Sequence, residues 1–447
     1  MDAKTVASYD RPVPRYTSYP TAAQFHGAVG PVQHRAWLPD LARSCSTVYL
    51  HVPFCAHLCW YCACHTSAVN RPESLASYAR ALLKEIDLVA DTVPELIVGS
   101  IQWGGGTPSQ LGTANIAEVA KRLAARFDRR CKSETSMEVD PRSCDDALVM
   151  TMRDIGIDRA SLGVQDFDID VQQAINRLQS VDDTAIAISR LRAVGIASIN
   201  LDLVYGLPRQ TLETLARTLD AALDLAPDRF AVFAYAHVPW MKARQRLIDP
   251  VGLPTAGDRA AMADLVAQRL VDGGYIQVGL DHYARPTDSL ATAAEHGRLR
   301  RSFQGYVVED QPSVVGFGAS AISSLPRGYT QNAPDPARYR TLIEAGCFAS
   351  VRGLELTAQD RLRAEIIERL MCTFSIDLAE VCRRHDVSTG PFLEGIRALP
   401  ALVDDGLVRR DGESLHVTAR GRPLVRFVCA AFDPHLKYVD GRHSRGI

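Results

Sequence analysis

Six short apolar runs punctuate the chain between residues 48 and 235, at Val48 to Val52, Leu96 to Trp103, Thr135 to Val139, Ala160 to Val164, Ile199 to Val204 and Phe230 to Tyr235. Each precedes a turn. The first five are also followed by segments with apolar residues at three-to-four spacing: Ser74 to Val93, Ile116 to Phe127, Ala147 to Ile155, Thr184 to Val194 and Leu212 to Leu225. Strand, turn and amphipathic helix in repetition is the pattern of a parallel sheet with crossover helices. Six units rather than eight predict an α/β fold, an incomplete (β/α)6 barrel. In such a barrel the loops after the strand carboxyl ends converge on one face, so residues far apart in sequence meet there. The chemically unusual residues of this chain lie in those loops.

The 447 residues leave room for more than a barrel. Residues 1–45 read as an ordered arm, because Arg11 to Thr21 carries three prolines and no helical period. Residues 46–350 are expected to hold the barrel and its extension, with a further helix near Ala260 to Val271 and a strand from Tyr275 to Leu280. Residues 351–447 read as a mostly helical unit with helices at Ala358 to Met371 and Gly390 to Leu399. A hairpin through Asp411-Gly412 to His416-Val417 gives that unit a winged-helix-like pattern.

Fifty basic against 52 acidic residues leave a net charge of -2, which gives no field to favour nucleic acid or a membrane surface. No apolar run reaches the roughly 18 residues of a membrane span, and the first residues lack the apolar core of a secretory signal. A cytoplasmic location is therefore expected, where cysteines serve metal or redox chemistry more often than disulfides. Of the 11 cysteines, Cys45, Cys131, Cys144, Cys347, Cys372, Cys382 and Cys429 are scattered and expected mostly as small core residues. The other four sit within ten positions.

That cluster is Cys55-Ala56-His57-Leu58-Cys59-Trp60-Tyr61-Cys62-Ala63-Cys64, directly after the first strand. A Cys-x3-Cys-x2-Cys spacing lets one loop present three thiolates to three corners of an iron–sulfur cubane, leaving one iron open to an exogenous ligand. A zinc site using Cys64 as a fourth ligand is the competing reading. Structural zinc usually joins two separated cysteine knuckles, so the cluster is preferred. Cys64 is then more simply a neighbouring thiol than a fourth iron ligand. Gly104-Gly105-Gly106-Thr107-Pro108 follows the second strand and permits close backbone approach to a ligand. It lacks the Gly-Lys-Ser/Thr ending of a nucleotide phosphate loop.

The cysteine spacing on the first loop of a six-unit barrel resembles the radical S-adenosylmethionine superfamily. Arg15-Tyr16-Thr17-Ser18-Tyr19-Pro20-Thr21, Tyr49 to Cys55, Trp103 to Pro108 and Gly163 to Phe167 narrow the likeness to the bacterial oxygen-independent coproporphyrinogen III oxidases. Asp202 to Pro208, Tyr235 to Pro239, Asp281 to Pro286 and Phe303-Gln304-Gly305-Tyr306 extend it over nearly the whole chain. The resemblance implies a radical SAM barrel and a 4Fe-4S cluster on Cys55, Cys59 and Cys62. It further implies two S-adenosylmethionine molecules side by side. Tyr49, Tyr61, Gly105, Glu138 and Ile322 would hold the cluster-bound one; Gly106, Thr107, Gln165, Arg177, Asp202 and Ala236 the second. Carboxylates suit ribose hydroxyls or an ammonium, and Arg177 suits a carboxylate.

The implied reaction is oxidative decarboxylation of two propionates of coproporphyrinogen III to vinyl groups, giving protoporphyrinogen IX in haem biosynthesis. A flavodoxin or ferredoxin would supply low-potential electrons to a monomeric enzyme. Four propionates call for cations beside an apolar wall, for which Arg11, Arg15, Tyr16, Tyr19, Lys242, Arg244, Arg246 and Arg285 are candidates. The family more usually carries phenylalanine at Tyr61, and glycine and asparagine where this chain has Ala63 and His65. Haem-carrying relatives share the barrel but generally lack the Arg-Tyr-Thr-Ser-Tyr-Pro-Thr segment and the equivalent of Cys64. A radical enzyme acting on another tetrapyrrole is the remaining alternative.

Overall fold

The computed structural model describes residues 1–131, 133–302, 305–308, 311–436 and 443–446. Six strands, β1 (Cys45–Val52), β2 (Ile97–Gly105), β3 (Thr135–Val139), β4 (Arg159–Gln165), β5 (Ser198–Tyr205) and β6 (Arg229–Ala234), pair in parallel in chain order. Helices α1 (Pro72–Thr92), α2 (Thr113–Arg126), α3 (Asp146–Asp154), α4 (Val181–Ala193) and α5 (Leu212–Asp224) return the chain between them. All six strands expected from the sequence are present, although β6 stops before Tyr235. Their runs are apolar rather than alternating because helices cover one face while side chains fill the barrel interior.

Each helix presents a buried stripe to the sheet: Leu75, Leu82 and Ile86 from α1, Ile116, Val119 and Leu123 from α2, Leu215 and Leu219 from α5. Burying each such side chain contributes about 1.5–3 kcal/mol. Local signals set where the helices begin. Ser180 Oγ accepts from Asp183 N at 3.0 Å while the Asp183 carboxylate accepts from Ser180 N at 2.8 Å, closing a capping box at the start of α4.

Six further strands widen the sheet to twelve. Beyond β1 lies the parallel Val314–Phe317, then the antiparallel Ile322–Leu325, Gly328–Asn332 and Ser350–Glu355. Beyond β6 lie the antiparallel His282–Ala284 and Ile276–Val278. The strand expected at Tyr275 to Leu280 is thus a three-residue edge. Among the described residues the two sheet ends do not pair, so the barrel is open. Glu85 of α1, 1% exposed, clamps the added strands by accepting from Gly318 N at 2.7 Å, Asn332 Nδ2 at 2.7 Å and Tyr339 Oη at 2.6 Å. Burial raises its pKa to about 7.

The strand Ser350–Glu355 straddles the division drawn after residue 350, so the sheet runs on to Glu355. The unit that follows has helix Ala358–Thr373 and a small sheet of Ser375–Asp377, Ser414–Val417 and Val408–Asp411. The single helix expected over Gly390 to Leu399 is instead two, Thr389–Glu394 and Leu399–Asp404. Gly395 closes the first, and Pro400 at the second helical position restarts the second. The arm contains helices Ala3–Tyr9 and Pro31–Trp37 on either side of the irregular Arg11 to Thr21 stretch. Its Tyr9, Val13, Tyr16 and Tyr19 complete the core of the carboxyl-terminal unit with Leu362, Ile366 and Leu370.

Cys144, Cys372, Cys382 and Cys429 are buried, as expected of core cysteines. Cys347 is exposed, and Cys45 and Cys131 form a disulfide, both against that expectation. No helix among the described residues is long and apolar enough to cross a membrane. Phe303 and Gln304 lie outside the described residues.

Candidate active site

The cysteine loop is closed at its base by a two-residue parallel ladder, Phe54–Cys55 on Ser67–Ala68. Neighbours from two other segments pin its interior. Trp60 N donates to Ile175 O at 2.9 Å, Asn176 Nδ2 to Leu58 O at 3.0 Å and Gln245 Nε2 to Tyr61 O at 2.7 Å. Each of the three sulfurs has its own donor. Thr107 Oγ1 lies 3.7 Å from Cys55 Sγ, Arg177 Nη1 lies 3.5 Å from Cys59 Sγ, and Cys64 N lies 3.4 Å from Cys62 Sγ. Donors directed at sulfur favour thiolates, the form that ligates iron. Hydrogen bonding from Cys64 holds Cys62 down at about 6, whereas burial raises Cys55. The same pairing pushes Cys64 up, so it acts here as a donor beside Cys62.

The glycine turn after β2 sits against this loop. Gly106 N donates to Val52 O and Thr107 N to Phe54 O, both at 2.8 Å. A Cβ on Gly106 would fall 2.6 Å from Phe54 O and 2.9 Å from Cys55 Sγ, closer than atoms pack, so only glycine fits. Gly105 has φ +116° and donates its amide to Glu138 Oε2 at 3.0 Å. Burial, then the nearby Asp202, raise Glu138 to about 7. Asp202 accepts from Ser161 Oγ at 2.9 Å and Asn200 Nδ2 at 2.8 Å, and burial raises its pKa also. Gln165, at the end of β4, has φ +72°, a conformation costly for a side-chain-bearing residue.

Arg177 joins the two sides of the site. Besides Cys59 it reaches Asp140 Oδ2 at 3.5 Å and the Gly163 carbonyl, while its Nε, buried, has no partner among the described residues. Burial works to lower its pKa, but Tyr61, Asp140 and Cys59 raise it, so it stays cationic. A buried guanidinium with a spare donor suits a ligand carboxylate.

Cys55, Cys59 and Cys62 line one cavity of 460 Å³ with Tyr61, Gly105, Gly106, Thr107, Glu138, Gln165, Arg177, Asp202 and Ala236. That is within the ~300–1,000 Å³ of small-molecule sites. Tyr49 and Ile322 do not line it. Tyr49 lies under the glycine turn, its ring 3.0 Å from where a Gly104 Cβ would be and its hydroxyl 2.9 Å from His51 Nδ1. Ile322 is on an outer strand, its carbonyl packed against Gly316. The donor set fits a cubane with one open corner.

Sequence reasoning missed Asp140, Ser161 and Gln245. Asp140 directly follows β3, the position from which a barrel residue reaches the ligand face. Most of the substrate candidates have other work. Tyr16 and Tyr19 are core residues, Arg11 lies over Phe427, and Arg285 lies over Tyr275. Arg15 and Arg244 are the members of that set that line the cavity, Arg244 also reaching Thr66 Oγ1 at 2.8 Å.

Residues 49–222, from β1 through most of α5, match the radical SAM superfamily model, and residues 356–424 match the HemN C-terminal domain model. The chain is 46% identical to oxygen-independent coproporphyrinogen III oxidase of Bradyrhizobium diazoefficiens across the full length of both. It is 37% identical to the protein of that name in Escherichia coli, over 98% of this chain and 96% of that one. The solved structure of Escherichia coli coproporphyrinogen III oxidase (HemN), described as a radical SAM enzyme, superposes with a TM-score of 0.90 at 36% identity, covering 94% of this chain and 98% of that one. Barrel, cysteine loop, arm and carboxyl-terminal unit are all included in these matches, and the chain therefore belongs to the oxygen-independent coproporphyrinogen III oxidase family of the radical SAM superfamily.

Proposed function

We propose that this protein converts two propionates of coproporphyrinogen III to vinyl groups without dioxygen, yielding protoporphyrinogen IX for haem biosynthesis. The observation that carries this reading is the full-length identity to named oxidases, which takes in the arm and carboxyl-terminal unit as well as the barrel. When bound, the 4Fe-4S cluster and S-adenosylmethionine supply one electron and a nucleoside radical able to take hydrogen from an unactivated carbon. Each propionate loses one hydrogen atom, carbon dioxide and one electron to become a vinyl group.

The chain's residues hold and orient. Cys55, Cys59 and Cys62 are the iron ligands, their sulfurs steadied by Thr107, Arg177 and Cys64. Glu138 and Asp202 offer carboxylates to ribose hydroxyls or an ammonium, and the spare Nε of Arg177 faces a carboxylate. Tyr49, Tyr61, Gly105, Glu138 and Ile322 serve the S-adenosylmethionine at the cluster; Gly106, Thr107, Gln165, Arg177, Asp202 and Ala236 serve a second molecule beside it. A flavodoxin or ferredoxin delivers the electron to a monomer. The experiment is anaerobic incubation of the reconstituted protein with coproporphyrinogen III, S-adenosylmethionine and a low-potential reductant, with product identified by mass. Loss of two carboxyl groups is expected. An added methyl group, or an unaltered tetrapyrrole with retained haem, would overturn the reading.

A further inference from the structure

Behind the cofactor cavity lie two more, of 440 and 330 Å³, and Arg15 and Phe233 line all three. Arg15, from the arm, is fixed by donation from Nη2 to Ala234 O at 2.8 Å, at the end of β6. No cysteine lines the 330 Å³ cavity. It lies between the barrel end, the arm and the carboxyl-terminal unit, with an apolar wall of Tyr205, Val232, Phe233, Leu280 and Tyr283. Five arginines also line it: Arg15, Arg259, Arg301, Arg422 and Arg426.

The carboxylates available there are already taken. Asp281 is held by Arg301 through two bonds of 3.2 and 3.3 Å and by His282 at 2.7 Å. Asp264 pairs with the amino terminus at 3.0 Å, and Arg259 has Asp10 at 3.4 Å. Among the described residues neither Arg15 nor Arg426 has a carboxylate within ion-pair distance. Arg426 is 8% exposed, donates from Nη2 to Gly446 O at 2.5 Å, and leaves its buried Nε without a partner. Burial, then the Arg15 charge, lower its pKa to about 10, with Asp281 opposing them only in part. A buried guanidinium left so is costly unless an anion arrives. Carboxylate is the anion that its planar fork fits best in a pocket with an aromatic wall.

We propose that this arginine pole binds propionate carboxylates of the tetrapyrrole, with Arg15 and Arg426 as the anchors. Because no cysteine lines the 330 Å³ cavity, the carboxylates held there are those that the reaction leaves intact, and Arg15, which also lines the cofactor cavity, holds the substrate so that the reacting propionates lie toward the cysteines. The arm and the carboxyl-terminal unit are thereby parts of the substrate site. The inference rests on the substrate reading given above.

The test is equilibrium dialysis of anaerobic coproporphyrinogen III against the iron–sulfur holoenzyme without S-adenosylmethionine, with free and bound tetrapyrrole read as porphyrin fluorescence after air oxidation. The wild-type protein should bind the tetra-acid and bind its tetramethyl ester at least about tenfold more weakly. Arg15→Gln and Arg426→Gln should each weaken the tetra-acid at least about tenfold while leaving the ester unaffected. Arg15 faces the cavities, so Arg15→Gln carries the test alone should Arg426→Gln fail to fold. Unchanged tetra-acid affinity in the variants would overturn the arginine pole and leave the substrate reading standing. Failure of the wild-type protein to bind the tetra-acid would overturn the substrate reading, and this inference with it.

Discussion

Replacing Arg177 by alanine separates its structural role from its ligand role. The substitution removes contacts to Cys59 Sγ and Asp140 Oδ2, both at 3.5 Å, and the bond to the Gly163 carbonyl. Asp140 is not abandoned, because Arg142 holds it at 2.9 and 2.6 Å, so the roughly 3–5 kcal/mol of a stranded buried charge does not apply. What remains is the part-buried Gly163 carbonyl losing a charged donor, about 1.5–3 kcal/mol, plus two long contacts of little weight. The cofactor-free protein should therefore lose about 2–3 kcal/mol in urea unfolding. The cluster-loaded variant should keep about four irons per chain but bind less S-adenosylmethionine in equilibrium dialysis. A stability loss under about 0.5 kcal/mol together with unchanged S-adenosylmethionine occupancy would refute this reasoning.

Cys62→Ala should abolish both iron incorporation and turnover; full turnover by iron-free protein would contradict the mechanism. Gly106→Ala places a methyl group 2.9 Å from Cys55 Sγ, so iron occupancy should fall although no ligand is changed, as iron analysis will show. Glu138 sits near 7 through burial and the Asp202 charge, so S-adenosylmethionine affinity should rise from about pH 6 to about pH 8 as the carboxylate forms, and the rise should vanish in Glu138→Gln. Burial holds Glu85 near 7 in the fold, above its unfolded value. Its contribution is therefore greatest below the ordinary glutamate range and is lost as pH rises through 7. Unfolding free energy should fall by up to about 3 kcal/mol across that window, a slope that urea titrations of Glu85→Ala should lack.

The barrel was legible because its strands are apolar and separated by amphipathic helices, and because the candidate site residues sit at strand ends where the fold brings them together. Cys55 to Cys64 carried the cluster reading in one loop. The flanking strands were hidden for a physical reason. Val314–Phe317, Ile322–Leu325 and Gly328–Asn332 are only four or five residues long, and their order depends on pairing with β1 and on Glu85 reaching across from α1. Gln245 gave no signal either, since its role is to reach back to the Tyr61 carbonyl, a contact between loops 184 residues apart. Tyr49 and Ile322 were inferred from resemblance, and neither lines the cavity formed by the other nine residues proposed to hold the cofactor. Arg15 was one of eight candidates chosen only because their side chains suit the propionates of the implied substrate. Its distinction is positional, because it lines all three cavities.

The most direct test of the central claim is iron and sulfide content with visible absorption under strict anaerobiosis, followed by S-adenosylmethionine and a reductant to look for 5'-deoxyadenosine. About four irons per chain, nucleoside formation and, with coproporphyrinogen III present, one nucleoside for each carboxyl group lost are expected. A colourless protein that holds zinc after reconstitution and forms no nucleoside would contradict it.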